Sequence, residues 1–130
     1  MADYYSSDRF YIALASGIPL LDFAVPRVDR LATPGRHWQA YETLPQLFAL
    51  VERTLEQPAD ALHAWGTEAR HYVLGAHTQA HRCAEMLDII SELRSSRAAG
   101  RVMAPPRLRC FAPEVDPVAE AAHAVRGWRG

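Results

Sequence analysis

Apolar positions recur at helical or strand spacing up to about residue 97, and beyond that point prolines interrupt every period. Ser6, Ser7 and Asp8 are N-cap residue types, and the run Arg9-Phe10-Tyr11-Ile12-Ala13-Leu14-Ala15-Ser16 that follows reads as a helix over about Asp8 to Ser16. Gly17 takes the left-handed conformation that stops a helix, and Pro19 prevents its continuation. Ile18 to Phe23, apolar except for Asp22, has the length of a strand covered on both faces. Pro26 to Ala32 has room for one helical turn, and Thr33-Pro34-Gly35 is a turn signal. His37 to Tyr41 reads as a second short strand, with Trp38 and Ala40 on one side and His37, Gln39 and Tyr41 on the other.

Three longer helices follow. Thr43 and Gln46 form a capping box with Pro45 in the first turn, where no N–H is needed. Leu44, Leu47, Phe48, Val51 and Leu55 then share one face, expected inward, until Gln57-Pro58 stops the helix. The next runs from about Ala59 to Leu74, with Leu62, Trp65, Ala69, Tyr72 and Val73 inward and Asp60, Glu68 and Arg70 toward solvent. Gly66 lowers its propensity and Gly75 ends it. Thr78 caps a last helix to about Arg94, whose stripe Cys83, Met86, Leu87, Ile90 and Leu93 is expected to face a core rather than a partner. Trp38, Trp65 and Phe48 are read as packing residues. From Ser95 the character changes, and residues 98–130 read as a proline-rich mobile tail in which only Val118 to Trp128 has helical pattern.

The fold class this defines is α/β and helix-rich: a partial Rossmann-like unit with two short strands and four main helices. At 130 residues the chain fits one domain and is long enough to bury roughly two thirds of its unfolded surface. Lys+Arg number 14 against 15 Asp+Glu, and all the basic residues are arginine, so no basic field points to nucleic acid or an anionic membrane. No run of about 18 apolar residues forms a membrane span, and the first residues lack the pattern of a leader. A cytoplasmic location is the expectation. Cys83 and Cys110 have neither redox nor zinc spacing.

Candidate chemistry concentrates at the first helix. Unpaired N–H groups and the helix dipole at its start suit a bound phosphate, and Arg9 adds a fixed cation. On physical features alone the same stretch is also an ordinary helix–strand connection. His77 and His81 would share a helix face at zinc-binding spacing, but no third ligand is placed by a recognisable pattern and Thr78 starts a helix between them. No serine sits in a nucleophile elbow. Asp8 reads as a cap or solvent-facing charge and Asp29 as a surface residue, while Tyr4-Tyr5 beside Arg9 has the chemistry to stack on a base.

The order Ser7-Asp8-Arg9, Ala13-Leu14-Ala15-Ser16-Gly17-Ile18-Pro19, Pro34-Gly35, a helix ending Leu55-Glu56-Gln57-Pro58, and Gly75-Ala76-His77-Thr78 with His81-Arg82 resembles the C-terminal end of a GT-B glycosyltransferase. It is most similar to the spore-maturation-type family, over about residues 6 to 94. The resemblance implies a donor nucleotide sugar, a substrate and not a cofactor, against the carboxyl ends of parallel strands. It places Ser6, Ser7 and Arg9 at the donor diphosphate and Tyr11 and Ile12 along the nucleotide side. Gly17, His77, Thr78 and Arg82 are structural positions of the motif, and neither a catalytic residue nor a metal site is assigned. N–H groups and Arg9 would stabilise charge developing on the departing diphosphate. Ile12 stands where many GT-B enzymes carry a ribose-binding glutamate, Tyr4 where another glutamate stands eight residues earlier, and Gln79 where this family has an aromatic residue.

Two strands do not make a doubly wound sheet, and a free strand edge presents unpaired N–H and C=O groups. The expectation is that residues 1–97 form part of a GT-B C-terminal domain, not competent for transfer alone, whose missing portion is either supplied by a second chain or lost from the product of a broken or mis-started gene. The alternative is a non-catalytic helical module that completes a partner's sheet.

Overall fold

The computed structural model describes residues 8–102, 112, 115 and 116. Ser6, Ser7, Tyr4, Tyr5, Cys110 and the helical pattern of Val118 to Trp128 lie outside the described residues. Two compact units divide the chain, Met1–Gly75 and Ala76–Gly130.

In the first unit, helix α1 (Asp8–Ser16) leads through Gly17, at φ 77°, into strand β1 (Leu21–Phe23). A single 3-10 turn (Val28–Arg30) and the turn at Gly35, φ 78°, then bring the chain back to strand β2 (Gln39–Tyr41). β1 and β2 pair in parallel, with Leu21 opposite Gln39, Asp22 opposite Ala40 and Phe23 opposite Tyr41. Helix α2 (Leu44–Leu55) and helix α3 (Ala59–Ala76) follow. The result is an α/β, helix-rich architecture around a two-strand parallel sheet, consistent with a partial Rossmann-like unit.

The core lies on one face of this sheet. Phe10 and Leu14 from α1, Val28 and Ala32 from the connection, Trp38, and Ala69 and Val73 from α3 form one buried cluster, with Leu20, Ala40 and Tyr72 packed against it. Phe10 meets Trp38 edge to face with centroids 5.3 Å apart, and the Trp38 indole Nε1–H donates to the Ala32 carbonyl at 2.8 Å. The Tyr72 hydroxyl donates to the Leu31 carbonyl. Buried polar atoms of the loop are thus satisfied by the side chains that pack it.

α1 rests on α3 through glycine. A Cβ at Gly66 would stand 1.9 Å from the Gly17 carbonyl oxygen, so the residue that weakens α3 as a helix is the one that lets the end of α1 approach it. Arg70 Nη1 donates to the Ala15 carbonyl at 3.0 Å and takes up an otherwise unpaired group of the last turn of α1. Arg70 and Glu68 are exposed, as expected, and each also makes a tertiary contact; Glu68 accepts from Arg36 Nε at 2.6 Å.

Other expectations are corrected. β1 is confined to three residues, because β2 offers ladder partners only over Gln39–Tyr41, and Ile18 and Phe23 are exposed. His37 is buried beside Trp38, because the turn before β2 breaks the strand alternation there. Gly75 does not end α3, which runs to Ala76. α2 has the expected Thr43–Gln46 capping box and leans on β2, yet none of its residues is buried. Phe48 is 63% and Leu55 78% exposed, so Phe48 is not a core residue.

In the second unit, helix α4 (Gln79–Ala98) continues beyond Arg94. Its expected inward stripe is also exposed: Met86, Leu87, Ile90 and Leu93 face solvent, Cys83 is a free exposed thiol, and Glu85 is the buried residue of the helix.

Candidate functional site

α1 presents two unlike faces. Phe10 and Leu14, one turn apart, enter the core, while Arg9 and Ile12 share the exposed face at the amino-terminal half, with Ile12 66% exposed. Tyr11 lies between these faces; its ring stands edge-on to Phe10 at 5.5 Å and packs against the core. Of the residues assigned to the donor, Arg9 and Ile12 are thus brought to one surface, and Tyr11 is turned to the packed side. Ser6 and Ser7 precede this helix in sequence and lie outside the described residues. The helix is held at its far end by Gly17 against Gly66 and by Arg70 on Ala15. Neither Gly66 nor Arg70 had been linked to α1 from the sequence, since the contacts span about fifty residues with no local signal.

His77, Thr78 and Arg82 form a second cluster, within the second unit. Thr78 caps α4 in a box whose other half is His81. The Thr78 N–H donates to His81 Nδ1 at 3.3 Å, and the His81 N–H donates to Thr78 Oγ1 at 3.4 Å. Arg82 is held from three directions. Its Nη1 donates to Glu85 Oε2 at 2.6 Å, and its Nη2 donates to the Ala76 carbonyl at 2.6 Å and lies 3.3 Å from His77 Nδ1. The guanidinium thereby takes up the Ala76 carbonyl ahead of the cap of α4. His77 precedes the cap and His81 is spent on it, so the two imidazoles do not share a helical face. Among the described residues no group of three His, Cys, Asp or Glu side chains is placed to hold a metal ion. No described helix is long and apolar enough to cross a membrane.

A helix with an exposed arginine in its first turn, followed by a glycine stop and leading into a parallel strand, makes this an α/β unit. Residues 1–88 match the family model described as glycosyl transferase-like, and the chain belongs to that family. No curated protein and no solved structure matches the chain. The match takes in α1, the sheet, α2, α3 and the first half of α4, and so contains both clusters described above.

Proposed function

We propose that this chain is the donor side of a GT-B glycosyltransferase of the spore-maturation type, its C-terminal part spanning residues 1–97, and that it binds the diphosphate of a nucleotide sugar. The observation that carries this reading is the family match over residues 1–88 together with the exposure of Arg9 in the first turn of a helix that ends at the sheet. Ser6, Ser7 and Arg9 hold the diphosphate, and Ile12 borders the nucleotide side with Tyr11 behind it. Backbone N–H groups and the guanidinium stabilise the charge that develops as the sugar–oxygen bond breaks. Gly17, His77, Thr78 and Arg82 act structurally. The nucleotide sugar is a substrate, no cofactor takes part, and the enzyme works in the cytoplasm.

The chain is not competent for transfer alone; a second α/β portion completes it. Leu20 and Ala40 pack on the core, so strand alternation puts Leu21, Phe23, Gln39 and Tyr41 on the other face, where Phe23 and Tyr41 meet at 5.8 Å and Phe23 is exposed. Parallel sheets are ordinarily covered on both faces. The ladder bonds from Gln39 N–H to the Leu20 carbonyl and from Ala24 N–H to the Tyr41 carbonyl turn the Leu21 and Phe23 backbone toward the outer edge of β1. The same face and edge favour the alternative, a non-catalytic module that completes a partner's sheet.

Calorimetric titration of uridine, guanosine and thymidine diphosphates separates the two. Binding of one of them, abolished in Arg9→Ala with the fold intact by circular dichroism, is the expected result. Silence with all three, or binding indifferent to Arg9→Ala, leaves the sheet-completing module. Sugar transfer by the purified 130-residue chain would overturn its dependence on a second portion.

A further inference from the structure

Away from α1, the turn before β2 and the outer side of α3 enclose an open cavity of about 600 Å³. Three of the six histidines of the chain line it: His37, His63 and His71. His63, Thr67 and His71 follow one another at four-residue spacing along α3 and make one wall. Arg36 and Glu68 also line it, joined at 2.6 Å. The floor is rigid. His37 is 1% exposed and lies flat on Tyr72, with ring centroids 4.0 Å apart and planes 12° from parallel. Its Nδ1 accepts the Thr33 N–H at 3.1 Å, and Tyr72 is tied to the Leu31 carbonyl.

We propose that this cavity is a second anion site, selective for a phosphate group, free or as a small monoester, held over Thr67 between His63 and His71. A group so placed lies one helical turn, about 6 Å along the axis, from each histidine. An imidazole reaches that distance from either side, and the Thr67 hydroxyl donates from below. Arg36 and Glu68 cancel in formal charge, so the sign of the cavity is set by its imidazoles. Among its lining groups Glu68 alone is acidic, and Asp60, one turn before His63 on the same helix, accepts the Ala61 N–H with its carboxylate. An imidazolium donates from both ring nitrogens and its hydrogen bond to a phosphate oxygen is charge-assisted, so the imidazolium form of these side chains is the form that holds phosphate. The cavity exceeds the size of phosphate itself, and Ala64 with the His37–Tyr72 stack offers the remaining space an apolar wall suited to the carbon skeleton of a monoester.

The experiment is a titration of the full chain with inorganic phosphate and with glycerol 3-phosphate at pH 6 and pH 8, at constant chloride. Binding is followed by calorimetry and by the imidazole proton resonances. Saturable binding at pH 6 is expected, with shifts at His63 and His71 and none at His81, and weaker binding at pH 8. His63→Gln with His71→Gln, both at exposed positions, should weaken binding at pH 6 at least about tenfold while leaving the thermal midpoint unchanged. Tighter binding of glycerol 3-phosphate identifies a monoester as the occupant, and equal binding identifies free phosphate. No saturable shift at pH 6, equal affinity at the two pH values, or full affinity in the double variant overturns the proposal. Arg9→Ala must leave this binding unchanged, so loss of nucleotide binding at α1 and loss of this site are read separately.

Discussion

The two faces of the small sheet carry similar apolar patterns and opposite fates. On one, Leu14 of α1 is 0% and Trp38 1% exposed, and α1 and α3 close over them with two glycines in contact. On the other, Phe23 and the α2 row of Leu44, Phe48, Val51 and Leu55 stand open. Spacing alone makes α2 the more regular amphipathic helix of the pair. What distinguishes the faces is how far the described elements close over each: periodicity records which side chains share a surface and says nothing of what that surface meets. The open face is thus the feature of the fold on which the proposed second portion rests, independently of the family to which the chain belongs.

The largest effects should come from the closed face. Leu14→Ala removes a fully buried side chain and leaves a cavity that helices pinned at Gly17 and Gly66 can only partly collapse, so it should lower stability by about 2–5 kcal/mol in urea unfolding. Gly66→Ala sets two effects against each other. Helix propensity predicts a gain of about 1 kcal/mol, whereas the clash of the new Cβ with the Gly17 carbonyl forces α1 off α3 at a cost of about 1–3 kcal/mol or more. Since backbone and not a flexible side-chain end is met, a net loss is expected. A net gain would show that α1 does not close on α3 in solution. Tyr72→Phe keeps the ring on His37 and removes one hydrogen bond to Leu31, for a loss of about 1 kcal/mol in the same measurement.

Much of the local structure was legible because its determinants are local. The Thr43–Gln46 box, the Thr78 cap and the Gly17 stop each act within four residues, and all three stand where the pattern put them. The inward side chains stand where the spacing puts them in α3, which packs on α1, and do not in α2 and α4, where the stripe Met86, Leu87, Ile90 and Leu93 is left open. Glu68 and Arg70 are exposed as their charge predicts, but their partners, Arg36 and Ala15, lie 32 and 55 residues away and a charge carries no sign of a distant acceptor. Gly66 was read as a local weakness for the same reason. At the candidate site, Arg9 and Ile12 could be placed on one surface from the helical period, but Tyr11 could not be assigned to the packed side without knowing that Phe10 meets Trp38.

The smallest stability effect belongs to the open face, and it is the sharpest test of the contrast. Phe48 and Leu55 are 63% and 78% exposed, so Phe48→Ser with Leu55→Ser should shift the unfolding free energy by no more than about 0.5 kcal/mol per site, despite removing two large apolar groups. The same pair of changes should reduce binding of a hydrophobic dye and suppress the concentration-dependent self-association that an exposed apolar row promotes, measured by sedimentation velocity. Burial of this row would instead give losses of several kcal/mol, of the size expected at Leu14. A double variant that unfolds as Leu14→Ala does would mean that the chain covers α2 by itself, and the two faces would no longer differ. Unchanged stability with diminished self-association leaves α2 as an open apolar surface, and the contrast between the two faces stands.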